Sequence, residues 1–198
     1  MFVLGLTGSI GMGKSTAAAM FRAEGIAVHD ADAVVHALYR GEAAPVIEAA
    51  FPGTTRDGVV DRARLGGRVL DDPAALARLE AIMHPMVAAS RDAFLIEAEK
   101  RGARLVVLDV PLLFEAGGDR KVDAVVLVTA PEAVQKQRVS RRSGMTPERL
   151  AVILARQMPD AEKRARAHFS IDTGGEFAAT RRQVRGILRA LAGATNKV

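Results

Sequence analysis

The sequence predicts an α/β fold: a parallel five-stranded sheet flanked by helices, with a helical insertion and a short helical lid. Three observations predict it. Apolar β-favouring runs at residues 2–7, 104–110 and 122–129 carry almost no charge, as strands buried on both faces do. Stretches with helix caps and helical spacing alternate with these runs, the order expected of a parallel sheet. Between the first run and the first helix lies Gly8-Ser9-Ile10-Gly11-Met12-Gly13-Lys14-Ser15-Thr16. A glycine, four residues and then Gly-Lys-Ser, placed between a strand and a helix, is the phosphate-loop pattern in its required context.

Elementary chemistry accounts for the residue types in this loop. A polyphosphate is wrapped by backbone N–H groups, and a loop free of bulky side chains, through Gly8, Gly11 and Gly13, lets the backbone approach. The helix that follows points its positive end at the anion. Lys14 is expected to reach the β- and γ-phosphates, and the Ser15 hydroxyl to ligate Mg²⁺. Residues 8 and 11–16, Met12 and Thr16 among them, form the expected ATP-binding set.

With 198 residues, 49% of them hydrophobic, the chain suits one α/β domain with a substantial core. It has no cysteine, so disulfides and cysteine metal sites are excluded. No apolar run approaches the roughly 20 residues needed to span a bilayer. The first strand leaves no room for a signal peptide, so a cytoplasmic protein without membrane contact is expected. The net charge of +5 favours polyanions, nucleotides included. Without tryptophan and with one tyrosine, the chain lacks a base-stacking platform, and no nucleic-acid partner is expected.

The second strand is read at residues 25–30 and ends in Asp30-Ala31-Asp32. Three roles are open for these carboxylates: a base for an acceptor hydroxyl, a ligand in a magnesium shell, or the N-cap of a helix over 31–40. Residues 41–101 carry no evident strand. A helix is expected over 43–51, a loop at Pro52-Gly53 and Asp57-Gly58, a helix capped by Asp61 through 70, and another opening at Asp72-Pro73. His84-Pro85 is expected to end that helix and start a longer one reaching 101. His84 is either structural or a ligand contact. Such an insertion suits the second substrate of a kinase.

The third strand, 104–110, delivers Asp109, an acid that in a phosphate-loop enzyme holds Mg²⁺ directly or through water. Pro111-Leu112-Leu113-Phe114-Glu115 suggests a packed wall, with Glu115 at the cleft. After the strand at 122–129, Pro131 opens a helix carrying Arg138, Arg141 and Arg142. A break at 143–147 starts another, which ends at Arg156-Gln157. Beside a phosphate loop this basic hairpin reads as a lid, with the arginine that reaches the phosphates left open. A last short strand, 168–172, precedes a helix over 176–191, with a frayed tail from 193. The expected division is a core of 1–30, 102–138 and 158–198, a substrate insertion of 31–101 and a lid of 139–157.

Taken together, these elements resemble the dephospho-coenzyme A kinase family. The resemblance rests on residues 6–16, Asp30-Ala31-Asp32, residues 57–62, His84-Pro85, residues 111–115, Arg156-Gln157 and Ile171-Asp172-Thr173-Gly174, in the family's order over nearly the whole chain. It implies a phosphate-loop kinase fold. It also implies ATP-dependent phosphorylation of the ribose 3′-hydroxyl of dephospho-coenzyme A, the last step of coenzyme A synthesis, with ATP and Mg²⁺. By the same analogy Asp32 is the base, Lys14, Arg138 and Arg142 assist transfer, Ser15 and Asp109 hold Mg²⁺, and Thr7, Asp32, His84, Leu112 and Glu115 meet the acceptor. The enzyme is expected to be a monomer or weak homo-oligomer. Thr173 stands where the family commonly has asparagine near the adenine. Other small-molecule kinases share the loop and lid but lack the Asp-Ala-Asp and His-Pro set. A GTPase would need Asn-Lys-x-Asp after a late strand, and Asn196-Lys197 is followed only by Val198. A non-catalytic nucleotide-binding or RNA-binding module has no use for the intact set Lys14, Ser15, Asp32 and Asp109.

Overall fold

A computed structural model describes residues 1–142 and 144–195. In chain order β1 (Phe2–Thr7) leads to α1 (Lys14–Ala23), β2 (Ala27–Asp30), α2 (Ala31–Tyr39), α3 (Ala43–Ala50), β3 (Thr55–Arg56), β4 (Val59–Val60), α4 (Arg62–Val69) and α5 (Pro73–Lys100). Then follow β5 (Leu105–Asp109), a 3-10 turn (Gly118–Lys121), β6 (Ala124–Thr129), α6 (Glu132–Ser140), α7 (Pro147–Ala155), α8 (Asp160–Arg166), β7 (Phe169–Asp172) and α9 (Phe177–Thr195). Ser143 of the expected break, and Asn196-Lys197 with Val198, lie outside the described residues. The chain forms two compact units, Met1–His29 with Ala98–Val198, and Asp30–Glu97.

The first unit is built on a five-stranded sheet in the order β2-β5-β1-β6-β7. β1 is central, running parallel to β5 on one side and β6 on the other. The chain leaves β1 outward in one direction and later returns to build the other half. The carboxyl end of β1 is therefore the point where strand order reverses, the usual place for a ligand in an open α/β sheet. Strand side chains alternate between the faces. Leu4, Leu6, Val126, Val128 and Ile171 pack with Phe21 of α1 and with Val184, Ile187 and Leu191 of α9. Val125 packs instead with Leu113 and Phe114. No helix among the described residues is long and apolar enough to cross a membrane.

In the second unit Ala43, Ile47, Val60, Leu65, Leu79 and Met83 form a separate apolar cluster. Two features differ from the expectation for 41–101. β3 and β4 form a small antiparallel hairpin. Its turn is Asp57-Gly58, with φ of 51° and 75°, the positive pair of a tight hairpin turn that this dipeptide favours. Each strand is only two residues long, too short to show alternation in the sequence. The expected break at His84-Pro85 is absent, because α5 runs through Pro85 from Pro73 to Lys100. Leu79 and Met83 before the proline and Met86 after it bury in the same cluster. That packing carries the helix past a residue that cannot donate its backbone hydrogen bond.

Two further differences lie in the first unit. α8 lies in a stretch where the sequence shows no hydrophobic periodicity. Its signal is charge order: Asp160 and Glu162 in the first turn, Lys163, Arg164 and Arg166 in the last. The expected frayed tail from 193 is instead the last turn of α9, which continues to Thr195.

Candidate active site

The phosphate loop leaves β1 and closes on itself through Met12 N–H, which donates to the Ser9 carbonyl at 3.1 Å. Gly13 caps α1 in the left-handed region, with φ of 84°. The first turn of α1 contains no acid, so its own side chains do not neutralise the positive helix end. The glycines are also required by packing within the protein. A Cβ on Gly8 would lie 2.6 Å from the Val128 carbonyl, and one on Gly11 would lie 2.6 Å from Val139. On Gly13 it would meet the Thr173 hydroxyl at 2.8 Å.

Asp109 ends β5 in register with Leu6 of β1, which brings its carboxylate to the loop. Lys14 Nζ lies 2.5 Å from Asp109 Oδ1. Asp109 is almost wholly buried and Lys14 mostly so. Lys14 is thus a packed, charge-paired side chain and not a freely exposed one.

Thr7, expected at the acceptor, donates its hydroxyl to the Pro111 carbonyl at 3.1 Å and is fully buried. It ties β1 to the segment after β5. In that segment Leu113 and Phe114 form the expected packed wall, whereas Leu112 is 43% exposed. Glu115 is held by a residue that the sequence did not single out. Lys163 of α8 is fully buried, and its Nζ lies 2.9 Å from Glu115 Oε1. It also donates to Ser9 Oγ at 3.4 Å. Glu115 Oε1 accepts from Met158 N–H at 2.8 Å as well, while Oε2 is buried without a hydrogen-bond partner among the described residues. Burial pushes the Glu115 carboxyl up, but the hydrogen bonds from Lys163 and the backbone, with the Lys163 charge, hold it below the usual carboxylate range. In the sequence Lys163 belongs to a basic run that reads as a solvated face.

The expected lid arginines divide. Arg138 precedes the expected lid of 139–157. It belongs to α6 and donates to Thr173 Oγ1 at 2.9 Å, to the Thr173 carbonyl at 2.7 Å and to the Gly11 carbonyl at 3.5 Å. Thr173 Oγ1 in turn donates to the Met12 carbonyl at 2.7 Å. Thr173 is therefore a buried clasp between the loop after β7 and the phosphate loop. Arg141, Arg142 and Arg156 are exposed around α6 and α7. Gln135 and Gln157 also hold the loop: Gln135 donates to the Ile10 carbonyl at 2.7 Å, and Ile10 N–H donates to Gln157 Oε1 at 3.3 Å.

Asp30, Asp32 and His84 belong to the second unit. Asp30 is the N-cap of α2 and accepts from Ala33 N–H at 3.0 Å. Asp32 is exposed in the first turn of that helix, so the two carboxylates diverge instead of sharing one strand face. His84 is exposed on α5.

In the first unit a groove of about 360 Å³ runs beside Ser15 and Thr16, bounded by Ala19, Met20, Phe177 and Arg181. Ser15 itself is exposed. The described residues contain no cluster of three or more histidine or carboxylate side chains able to hold a metal. The Ser15 hydroxyl and the Asp109 carboxylate are protein oxygens that could hold a magnesium ion, which needs only one or two of them.

The model of the dephospho-CoA kinase family matches residues 2–179. The chain belongs to that family. A dephospho-CoA kinase of Mesorhizobium japonicum is 61% identical over 193 residues, covering 98% of each chain. Among solved structures, a Thermus thermophilus protein superposes with a TM-score of 0.82 at 36% identity, covering 96% of this chain and 97% of the other. The dephospho-CoA kinase of Campylobacter jejuni, at 22% identity and a TM-score of 0.66, covers 96% of both and shares the fold. In this dephospho-CoA kinase family member, the phosphate loop is held by Thr173, Gln135, Gln157 and Lys163, of which the sequence resemblance drew attention only to Thr173 and Gln157.

Proposed function

We propose that this chain phosphorylates the ribose 3′-hydroxyl of dephospho-coenzyme A with ATP as donor, giving coenzyme A and ADP. The observation that carries the reading is the phosphate loop at the carboxyl end of the central strand, with Lys14 and Asp109 paired beside it. Phosphoryl transfer is mainly positioning and charge stabilisation. Backbone N–H groups of residues 11–16 and the start of α1 wrap the phosphates. Lys14 exchanges part of its contact with Asp109 for the β- and γ-phosphate oxygens. Ser15 and Asp109 would hold a magnesium ion, which would supply charge neutralisation at the phosphates.

Asp32 is the general base. It is exposed in the first turn of α2 and can orient an acceptor hydroxyl and take its proton. Asp30 serves α2 as its cap. His84 and Leu112, both exposed, meet the acceptor. Glu115, whose side chain is 17% exposed, does so as well. Arg142 neutralises charge on the transferring group, and Arg138 supports the loop from behind.

The test is direct. Purified protein is mixed with ATP, Mg²⁺ and dephospho-coenzyme A, and the products are read by mass. ADP and coenzyme A in equal amounts support the reading. ATP consumption that does not depend on dephospho-coenzyme A refutes it.

A further inference from the structure

Lys163 is a buried cation paired with the Glu115 carboxylate. Burying an ammonium costs several kcal/mol, and a buried ion pair is often no more stable than the apolar pair that could replace it. Its surroundings indicate another use. Residues 9 and 10 of the phosphate loop are gripped at three polar atoms. Ser9 Oγ accepts from Lys163, the Ile10 carbonyl accepts from Gln135, and Ile10 N–H donates to Gln157. Gln157 and Met158 form the chain that leaves α7, and Met158 N–H shares Glu115 Oε1 with Lys163. The ammonium therefore joins the entry of the phosphate loop, the exit of α7 and the segment after β5 at one buried point.

The element that delivers it is fixed to the sheet. Thr129, the last residue of β6, donates to Asp160 Oδ2 at 3.3 Å and accepts from Arg164, and Arg164 pairs with Asp160 at 2.9 Å. Lys163 thus extends from an anchored helix and not from a loop free to follow its partners.

We propose that Lys163 is a positioning residue for the phosphate loop. Through Ser9 and the Glu115 carboxylate it sets the turn into the loop and links that turn to the chain leaving α7. The inference rests on the reading of residues 8–16 as the ATP site. The backbone N–H groups that face the phosphates follow directly after residues 9 and 10, so a shift at Ser9 displaces them together. A displacement of about 1 Å is enough to cost on the order of 10²-fold in rate.

The experiment measures steady-state kinetics, ATP binding and melting temperature for wild type, Lys163→Met, Ser9→Ala, their combination, and Lys163→Met with Glu115→Met. Lys163→Met is expected to lower kcat/KM for ATP by about 10²-fold. Ser9→Ala, which leaves the ion pair intact, should weaken ATP use with little loss of stability. Its effect should be non-additive with Lys163→Met, since both remove one link. In the variant carrying Lys163→Met and Glu115→Met no charge is left unpaired, so melting temperature should return towards wild type while ATP binding, measured without the acceptor, stays impaired. Recovery of ATP binding together with melting temperature in that variant, or strict additivity with Ser9→Ala, overturns the inference. If Lys163→Met does not fold, the Ser9→Ala and double-methionine variants still decide it. Wild-type protein that fails to bind ATP refutes the ATP-site reading itself. Wild type that binds ATP, with Lys163→Met equal to it, refutes only the role of Lys163.

Discussion

Lys14 Nζ lies 2.5 Å from Asp109 Oδ1, joining the phosphate loop to the end of the neighbouring strand through a carboxylate that is 1% exposed. Two consequences follow for Lys14→Ala. The lost charge at the transferring phosphate should lower kcat by about 10²–10³-fold. Loss of the ammonium beside this nearly buried carboxylate should also lower the melting temperature. Steady-state assays and thermal melts check both. A variant with normal turnover would remove the phosphate-loop assignment.

The pair Asp30 and Asp32 gives a matched comparison. Asp30 caps α2 through Ala33 N–H, and asparagine caps about as well as aspartate. Asp30→Asn should therefore leave stability and most turnover in place. Asp32→Asn keeps the size but loses the charge, and should lower kcat by about 10²-fold or more while ATP binding survives. ATP titration and kinetics on both variants decide it. A dead Asp30→Asn beside an active Asp32→Asn reverses the roles.

Arg138 and Arg142 should separate by stability. Arg138 donates to Thr173 and Gly11 from a half-buried position, so Arg138→Ala should lower both melting temperature and ATP affinity. Arg142 is exposed, and Arg142→Ala should change stability by less than about 0.5 kcal/mol while reducing kcat. Parallel melts and kinetics test this. Equal melting temperatures for the two variants would deny Arg138 its clasping role.

Glu115 predicts a pH dependence. Its folded carboxyl titrates below the ordinary value, because Lys163 and the backbone donors outweigh the opposing effect of burial. The stabilisation is fully present above the unfolded value of about 4.3 and is lost as pH falls through the lower folded value. Lys163→Met leaves burial acting with less opposition, so the folded Glu115 value should rise towards or past the unfolded one, and the loss of stability between pH 7 and pH 3 should become smaller, starting from a lower stability at pH 7. Melting temperature followed from pH 7 to pH 3 in both proteins measures it. An unchanged acid limb would mean that the pair does not govern this carboxyl.

Much of the sheet was legible because β1, β5 and β6 are continuous apolar runs, a pattern that long-range packing reinforces. The phosphate loop was legible because its residue spacing and its strand–helix setting agree. What was hidden depends on contacts between distant segments. β3 and β4 have two residues each, so only Asp57-Gly58 announced their turn. Pro85 carried a strong local signal for a break, and burial of Leu79, Met83 and Met86 on either side overrode it. The burial of Lys163 follows from the meeting of α8, residues 111–115 and Ser9, which no local pattern encodes. The clasp that Thr173 makes was hidden because its partners, Met12 and Arg138, are far away in sequence.

The walls behind Gly8, Gly11 and Gly13 change how damage to this loop should be diagnosed. An alanine at any of the three would press into Val128, Val139 or Thr173 before any nucleotide arrived. An inactive glycine variant would then be a misassembled protein as readily as one with an impaired grip on its substrate. The informative lesions in such a loop are those, like Ser9→Ala, that subtract atoms from it and leave its shape to the neighbours.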